Sequence, residues 1–477
     1  MFIGRSRELD DLASLWQKRS SSLVVCSGRR RIGKSTLIEE FAARSRCRFI
    51  EIVGLAPDEG INNESQLRNF CERLAVQTGM PEARVDGWPK AFDALFAAVG
   101  KRGRTIVLLD EISWMGAFDK GFAAYLKNAW DQQFSRRDNL VLVLCGSVSS
   151  WISKNILKAK AFVGRVSMSM NIKELPLSVC NSFWGDASGR MSVSEKLDIL
   201  SVTGGVPKYL SEIRPSLSAV ENIRRLCFDR NGYLFDEFDR IFTDIFRKTA
   251  DEKAKLLEVI ANGPKSLKEL SAATGSYSNG HLSDALDELR EAGFIDSDEG
   301  LNPCTARSVR EVRYRICDNY VRFYLKFIRP RITSIRSGSL GKFDVTALPG
   351  WNATLGLQFE CLVRNNLPQL LPLIGMGSTV VTSVAPYSRN EGKRGSGLQI
   401  DLLVQTSRSV CVVEIKRRSR IAASVEDDVR EKVRRLHLPR EVSVRTALVY
   451  AGELAQEIRE SNYFDFLVPV ERMLENR

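Results

Sequence analysis

Histidine is almost missing from this chain: its 477 residues include two, His281 and His437. Neither sits in a Ser, Cys or Glu motif, which argues against a His-dependent hydrolytic triad or a zinc protease. Cys-x-x-Cys pairs are absent too. The ten cysteines stand singly, several inside apolar stretches (Cys26, Cys145, Cys411), as buried thiols do in a reducing cytoplasm. No apolar run approaches the ~20 residues of a membrane-spanning helix, and Leu140 to Cys145 is among the longest. Met1-Phe2-Ile3-Gly4-Arg5 is followed by charges rather than by the apolar core of a secretory signal. There is no internal repeat and no low-complexity tract. The expectation is a cytoplasmic chain with no membrane partner, whose chemistry leans on carboxylates, lysine and bound metal.

Positive charge, by contrast, is in surplus. Lys plus Arg number 70 against 58 Asp plus Glu, a net +12 that favours an anionic partner. A hydrophobic share of 44% and a charged share of 27% are ordinary globular usage, so the chain folds, and its length suggests about three domains.

The first ~180 residues alternate short apolar strands with amphipathic helices, the pattern of a parallel sheet flanked by helices. Strands are expected at Leu23 to Cys26, Phe49 to Val53, Thr105 to Leu109 and Leu140 to Cys145, with helices at Ser35 to Ala43, Ser65 to Gln77 and Trp88 to Ala98. From Leu177 to about Arg247 the pattern turns helical, broken by Gly204-Gly205-Val206-Pro207. Lys248 to Arg315 then reads as three short helices and a two-strand tail, the order of a winged helix-turn-helix. After Trp351 come a helix around Leu357 to Leu367, a Gly- and Arg-rich loop at Tyr387 to Gly397, and the strand pair Gln399 to Val404 and Val410 to Ile415.

Gly28-Arg29-Arg30-Arg31-Ile32-Gly33-Lys34-Ser35, continuing into Thr36, fits G-x-x-x-x-G-K-[ST] between a buried strand and a helix start. Glycines let backbone N–H groups wrap a phosphate, Lys34 brings a point charge to the β and γ phosphates, and the Ser35 hydroxyl suits magnesium. ATP and Mg2+ are the expected cofactors. Asp110 and Glu111 end an apolar strand: Asp110 would complete the magnesium shell, and Glu111 would polarise the attacking water. Ser147, ending a third strand, would orient that water or the γ-phosphate if the strands are neighbours.

Phe2-Ile3-Gly4-Arg5-x-x-Glu8-Leu9, the phosphate loop, Asp110-Glu111, Gly164-Arg165 and Gly205-Val206-Pro207 together resemble the archaeal-type ATPase family, relatives of the AAA+ and STAND ATPases. Asp110-Glu111-Ile112-Ser113-Trp114-Met115, Cys145 through Trp151 and Asp318-Asn319-Tyr320-x-x-Phe323-Tyr324 resemble a bacterial branch with a C-terminal nuclease-like domain. The resemblance implies that Gly4 and Arg5 pack beside the adenine and that Pro207 contacts the base. It makes Arg165 an arginine finger or γ-phosphate sensor, on its own nucleotide or on a neighbour's; the second case requires a homo-oligomer. The expected architecture is an α/β P-loop NTPase core (1–176, parallel sheet, AAA+/STAND-like), a helical lid (177–247), a winged helix-turn-helix (248–317), a linker (318–350) and an α/β restriction-endonuclease-like domain (351–477).

In that last segment Asp401 lies in one strand of a hairpin and Glu414-Ile415-Lys416 ends the other. Alternation puts Glu414 and Lys416 on one face, and pairing brings Asp401 to the same edge. Asp401 and Glu414 would hold magnesium, with Lys416 activating water or stabilising developing charge. Both acids interrupt apolar strands, where an unpaired charge is costly. The arrangement resembles the PD-(D/E)xK nuclease superfamily, which implies that Glu360 is its helical acidic residue. Between Arg389 and Arg440, 13 Lys plus Arg face 7 Asp plus Glu, so half of the chain's surplus lies around these acids, as a DNA backbone would require.

The helix that would read DNA in the winged module, Asn279 to Ala292, carries Asp284, Asp287, Glu288 and Glu291 against Arg290. A major groove would repel it. The tail arginines Arg307, Arg310, Arg313 and Arg315 are the better DNA surface there. The functional expectation is a Mg-dependent ATPase whose nucleotide cycle controls a C-terminal DNA-binding or DNA-cleaving site. A nucleotide-dependent switch or loader that binds without cleaving stays open beside it.

Overall fold

The computed structural model describes residues 2–18, 20–147, 150–246, 249–275, 279–305, 307, 312–340, 343–389 and 397–475. The chain divides into two compact units, Met1–Glu174 with Glu291–Gly293, and Leu175–Arg290 with Phe294–Arg477.

In the first unit, β1 (Ser22–Gly28), β2 (Arg48–Val53), β3 (Thr105–Asp110), β4 (Leu140–Ser147) and β5 (Val166–Ile172) form a sheet in the order β2-β3-β4-β1-β5. All four pairings are parallel. β1, β3 and β4 are buried along their whole length, which is why they read as unbroken apolar runs. β5 is not anticipated by the pattern: Ser167, Ser169 and Asn171 lie exposed on alternate positions of this edge strand, and their polarity hides it. On one sheet face Phe70, Trp88, Phe92 and Phe122 pack with Val107 and Leu109, and the rings of Trp88 and Phe122 meet edge to face at 4.6 Å. Burying each such side chain contributes about 1.5–3 kcal/mol. Because every strand runs the same way, the C-terminal ends of β1, β3 and β4 are gathered at one edge, delivering Gly28, Asp110 and Ser147 together.

The second unit begins with helices, among them Val193–Thr203, Pro207–Ser211 and Ala219–Cys227. Helices Ala250–Ile260, Leu267–Thr274 and Asn279–Glu291 follow with a small antiparallel sheet of β6 (Lys265–Ser266), β7 (Ile295–Asp298) and β8 (Arg313–Ile316), ordered β6-β8-β7. After helices Asn319–Phe323 and Trp351–Asn365 comes a mixed sheet of β9 (Ser383–Arg389), β10 (Leu398–Gln405), β11 (Ser409–Ile421), β12 (Ser443–Leu454) and β13 (Phe466–Pro469). Its order is β13-β12-β11-β10-β9, antiparallel from β9 to β11 and parallel from β11 to β13.

These segments form one compact unit rather than a string of separate modules, and buried polar groups show why. Gln358, on the helix Trp351–Asn365, donates to Ser201 O at 2.8 Å and to Asn319 O at 2.6 Å, and Arg322 donates to Gln358 Oε1 at 2.6 Å. Each partner is buried, so breaking the set would leave polar atoms without water. Arg364 and Arg315 both grip Asp298 of β7, joining the small sheet to that same helix.

Candidate functional site

Residues Gly28 to Ser35 lead from the end of β1 into the helix Lys34–Ser45. Gly28 lies so close to β5 that a Cβ would stand 2.5 Å from Ile172 O. Gly33 caps the helix at φ 87°, where glycine meets no steric penalty. Lys34 is buried, and its ammonium donates to Arg29 O at 3.2 Å. Ser35 Oγ donates to Asp110 Oδ2 at 2.6 Å, so the hydroxyl and carboxylate expected on magnesium meet across two elements. Both are hard oxygen donors, and the pair fits that ion. Around them Arg29 pairs with Glu174 at 3.4 Å, the Arg30 guanidinium lies 5.1 Å from the Trp114 ring centre, Arg31 takes φ 67°, Ile32 is buried and Thr36 is exposed.

Glu111 follows Asp110 in a left-handed conformation, φ 49°, and its N–H donates to Asp110 Oδ1 at 2.9 Å. Burial pushes the Glu111 carboxyl above the usual glutamate range, with Lys34 pulling the other way. Glu111 Oε2 and Ser147 Oγ are both buried, and neither has a hydrogen-bond partner among the described residues. β4 lies between β1 and β3, so the two unsatisfied atoms belong to the strand ends that surround the phosphate loop. A polar ligand or water there would satisfy them.

Arg5 and Gly4 sit at the entry to the helix Ser6–Ser14, both with positive φ. The Arg5 guanidinium donates to Ile32 O at 3.2 Å and Lys173 O at 2.5 Å, bracing the phosphate loop against the end of β5. Arg165 is a correction. Its neighbour Val166 pairs with Leu23 while Ile172 pairs with Gly28, so Arg165 lies at the far end of the sheet from the loop, roughly 20 Å along the strand. It forms a two-pronged pair with Asp131, at 2.6 and 2.8 Å, which with Lys127 holds that carboxyl at about 2. Action on the chain's own nucleotide is overturned by this geometry. Pro207 opens the helix Pro207–Ser211 in the second unit, where Leu175 N donates to Gly205 O at 2.8 Å.

The second cluster lies on the mixed sheet. Register Leu402↔Val413 sets Asp401 across from Glu414. Lys416 Nζ reaches Glu414 Oε1 at 2.5 Å and Asp401 Oδ2 at 3.6 Å, while Ile415 N donates to Asp401 Oδ2 at 2.9 Å. Burial raises the Asp401 carboxyl, and crowding by Glu414 raises it further. Burial opposes the Lys416 ammonium, yet Asp401 and Glu414 hold its pKa above the ordinary lysine value. Burial first, then the Asp401 charge, push Glu360 up to about 7, which places Glu360 in the field of the same cluster. The four residues are thus brought together from a helix and two strands.

Sequence reasoning missed Lys432. From the helix Ser424–Arg435 it donates to both oxygens of Glu414, at 2.7 and 2.9 Å. A signal was present: Val425, Val429, Lys432 and Leu436 follow helical spacing, so a lysine interrupts a sheet-facing apolar stripe. The carboxylates suit a hard cation by chemistry. Among the described residues, however, no three or more His, Cys, Asp or Glu make a ready-made ion cage.

In the small antiparallel sheet, Arg315 is buried and paired with Asp296 at 3.1 Å and Asp298 at 3.2 Å, and Arg313 stands 3.5 Å from Glu269. Arg315 is therefore no DNA surface, since its charge is already answered inside the protein. Arg310 lies outside the described residues, as do Val148-Ser149 and most of the loop at 387–397.

A parallel five-stranded sheet with a phosphate loop on β1 and an acidic pair ending β3 defines the first unit as a P-loop NTPase fold. Residues 2–213 match the family of ATPase domains found predominantly in Archaea. An uncharacterized protein of Methanocaldococcus jannaschii is 24% identical over 374 residues, covering 78% of each chain. An uncharacterized ATP-binding protein of the same organism is 35% identical over 52 residues, 88% of its length and 11% of this one. The Walker-type ATPase of Pyrococcus abyssi shares the fold at a TM-score of 0.50 and 18% identity, over 68% of this chain and 96% of that one. No helix among the described residues is long and apolar enough to cross a membrane.

Proposed function

We propose that this chain is a magnesium-dependent ATPase whose nucleotide cycle controls a nuclease-like site acting on DNA. Lys34 and the loop backbone hold the phosphates, Ser35 and Asp110 hold the metal, and Glu111 takes a proton from the attacking water, with Ser147 orienting it. Bound magnesium supplies charge neutralisation at the phosphates. The observation that carries the second half of the reading is the convergence of Asp401 and Glu414 on the Lys416 ammonium, at 3.6 and 2.5 Å. Buried acids in apolar strands are costly without a task. Beyond Lys416 on β11, Arg418 and Arg420 stand exposed, placed for a phosphate backbone.

The test is incubation of single- and double-stranded DNA with magnesium, with and without ATP, comparing wild type with Asp401→Ala. A magnesium-dependent product that disappears in the variant is expected. No product from either protein under any of these conditions would remove cleavage from the reading. The alternative, binding without cleavage, is favoured by one observation: both oxygens of Glu414 are already occupied by lysine ammonium groups.

A further inference from the structure

Lys432 has no place in the site as read from the sequence, yet it donates to both oxygens of the most buried acid in it. Glu414 is 1% exposed. Its Oε2 receives Lys432 at 2.7 Å, and its Oε1 receives both Lys432 at 2.9 Å and Lys416 at 2.5 Å. Asp401 Oδ2 is taken by Ile415 N–H at 2.9 Å. Two ammonium groups therefore balance the two strand carboxylates in charge. A divalent cation added to that set would leave two uncompensated positive charges in a largely buried place, which is strongly unfavourable. The two lysine side chains are about equally exposed, at 24% and 21%, and differ in what carries them: Lys416 stands in a β-strand between two acids, whereas Lys432 sits in the last turn of a helix, beside exposed Arg434. Lysine is a compact charge on a flexible stem and can exchange one anion for another.

We propose that Lys432 is a tethered cation that occupies Glu414 until a polyanionic nucleic acid draws it off, so that metal and nucleic acid load together rather than metal first. The inference rests on the reading of Asp401 and Glu414 as a cation site. It adds that the phosphodiester backbone is the trigger: Lys432 moves from carboxylate to phosphate and opens the edge of Glu414 that a metal ion needs. No bond is made or broken in this exchange.

The test is Mn2+ binding to the full chain, followed by electron paramagnetic resonance, with and without a short phosphorothioate DNA duplex. The signal from this site is the part lost in Asp401→Asn. Lys432→Met should bind Mn2+ without DNA roughly tenfold or more tighter than wild type, the effect of removing a like charge at close range. The duplex should tighten wild type by a similar factor and leave Lys432→Met nearly unchanged. Lys432→Arg, which keeps a cation on Glu414, should behave like wild type, separating the clamp from any loss of folding. Equal Mn2+ affinity in wild type and Lys432→Met without DNA, or equal tightening of both by the duplex, overturns the inference while leaving the cation site intact. Mn2+ binding that Asp401→Asn does not change in any of these proteins overturns the cation site itself, and the inference with it.

Discussion

Arg417 and Asp198 form an ion pair between β11 and the helix Val193–Thr203, and Arg417 Nη1 also donates to Ser201 Oγ at 3.0 Å. Arg417 immediately follows Lys416, and the helix it grips ends in the Gly204-Gly205-Val206-Pro207 turn. Strand alternation sends Arg417 to the face opposite Lys416. The strand bearing Glu414 and Lys416 is thus anchored from behind to the helical segment that follows the ATPase fold. Both side chains are largely buried, at 13% and 24% exposure. Removing one partner should therefore cost about 1–3 kcal/mol, after allowing for partial solvent screening. Arg417→Ala and Asp198→Asn should each lower stability, and in a double-mutant cycle by denaturant unfolding their effects should be less than additive. Full additivity would show that the pair contributes nothing as a pair.

In the proposed function Lys34 serves binding and Glu111 serves turnover, so substitutions should separate the two. Lys34→Ala should abolish binding of a fluorescent ATP analogue. Glu111→Gln should retain binding and lower phosphate release by about 100-fold or more, as loss of a general base does. Equal ATPase rates in wild type and Glu111→Gln would remove Glu111 from that role.

Glu360 makes stability depend on pH in a definite direction. Its carboxyl is pushed up to about 7 in the folded chain, against about 4.3 in an unfolded one. The folded state therefore holds this proton more tightly, and the stabilisation is fully present below about pH 4 and lost as pH rises through 7. Glu360→Gln should match wild type near pH 4.5 and exceed its stability at pH 8, by at most about 4 kcal/mol. A difference between the two that stays constant from pH 4.5 to 8 would count against this environment for Glu360.

Gly28 tests the fit of the loop against the sheet. A methyl group would meet Ile172 O at 2.5 Å, a backbone atom held in the β1–β5 pairing. Gly28→Ala should destabilise the first unit by roughly 1–3 kcal/mol, in the manner of overpacking, and weaken nucleotide binding. An unchanged melting temperature with unchanged nucleotide affinity would show that β5 yields easily at this point.

The central strands were legible because burial on both faces makes them uniformly apolar: β1, β3 and β4 extend the expected runs by one or more residues, into Gly28, Asp110 and Ser147. The edge strand β5 was not, since its alternate exposed residues are Ser and Asn. In the C-terminal sheet β10 and β11 were visible for the same reason; β9 and β13 carry mixed burial and no comparable signal, whereas β12 holds a buried apolar run, Ala447 to Ala451, that the pattern reading passed over. Asp401, Glu414 and Lys416 could be grouped in advance because a two-residue period and a short turn determine which side chains share a face.

Local order in the sequence thus determined the phosphate loop, the acidic strand end and the carboxylate hairpin, all built from residues close along the chain or set by a simple period. Long-range packing decided the rest. It carried Arg165 to the far end of the sheet and bound it to Asp131, turned Arg315 inward onto Asp296 and Asp298, and tied Arg417 to Asp198. It also brought Lys432 onto Glu414 from another element. Charge composition records how many cations a chain has, but which of them remain available to a ligand depends on the acids that folding places beside them.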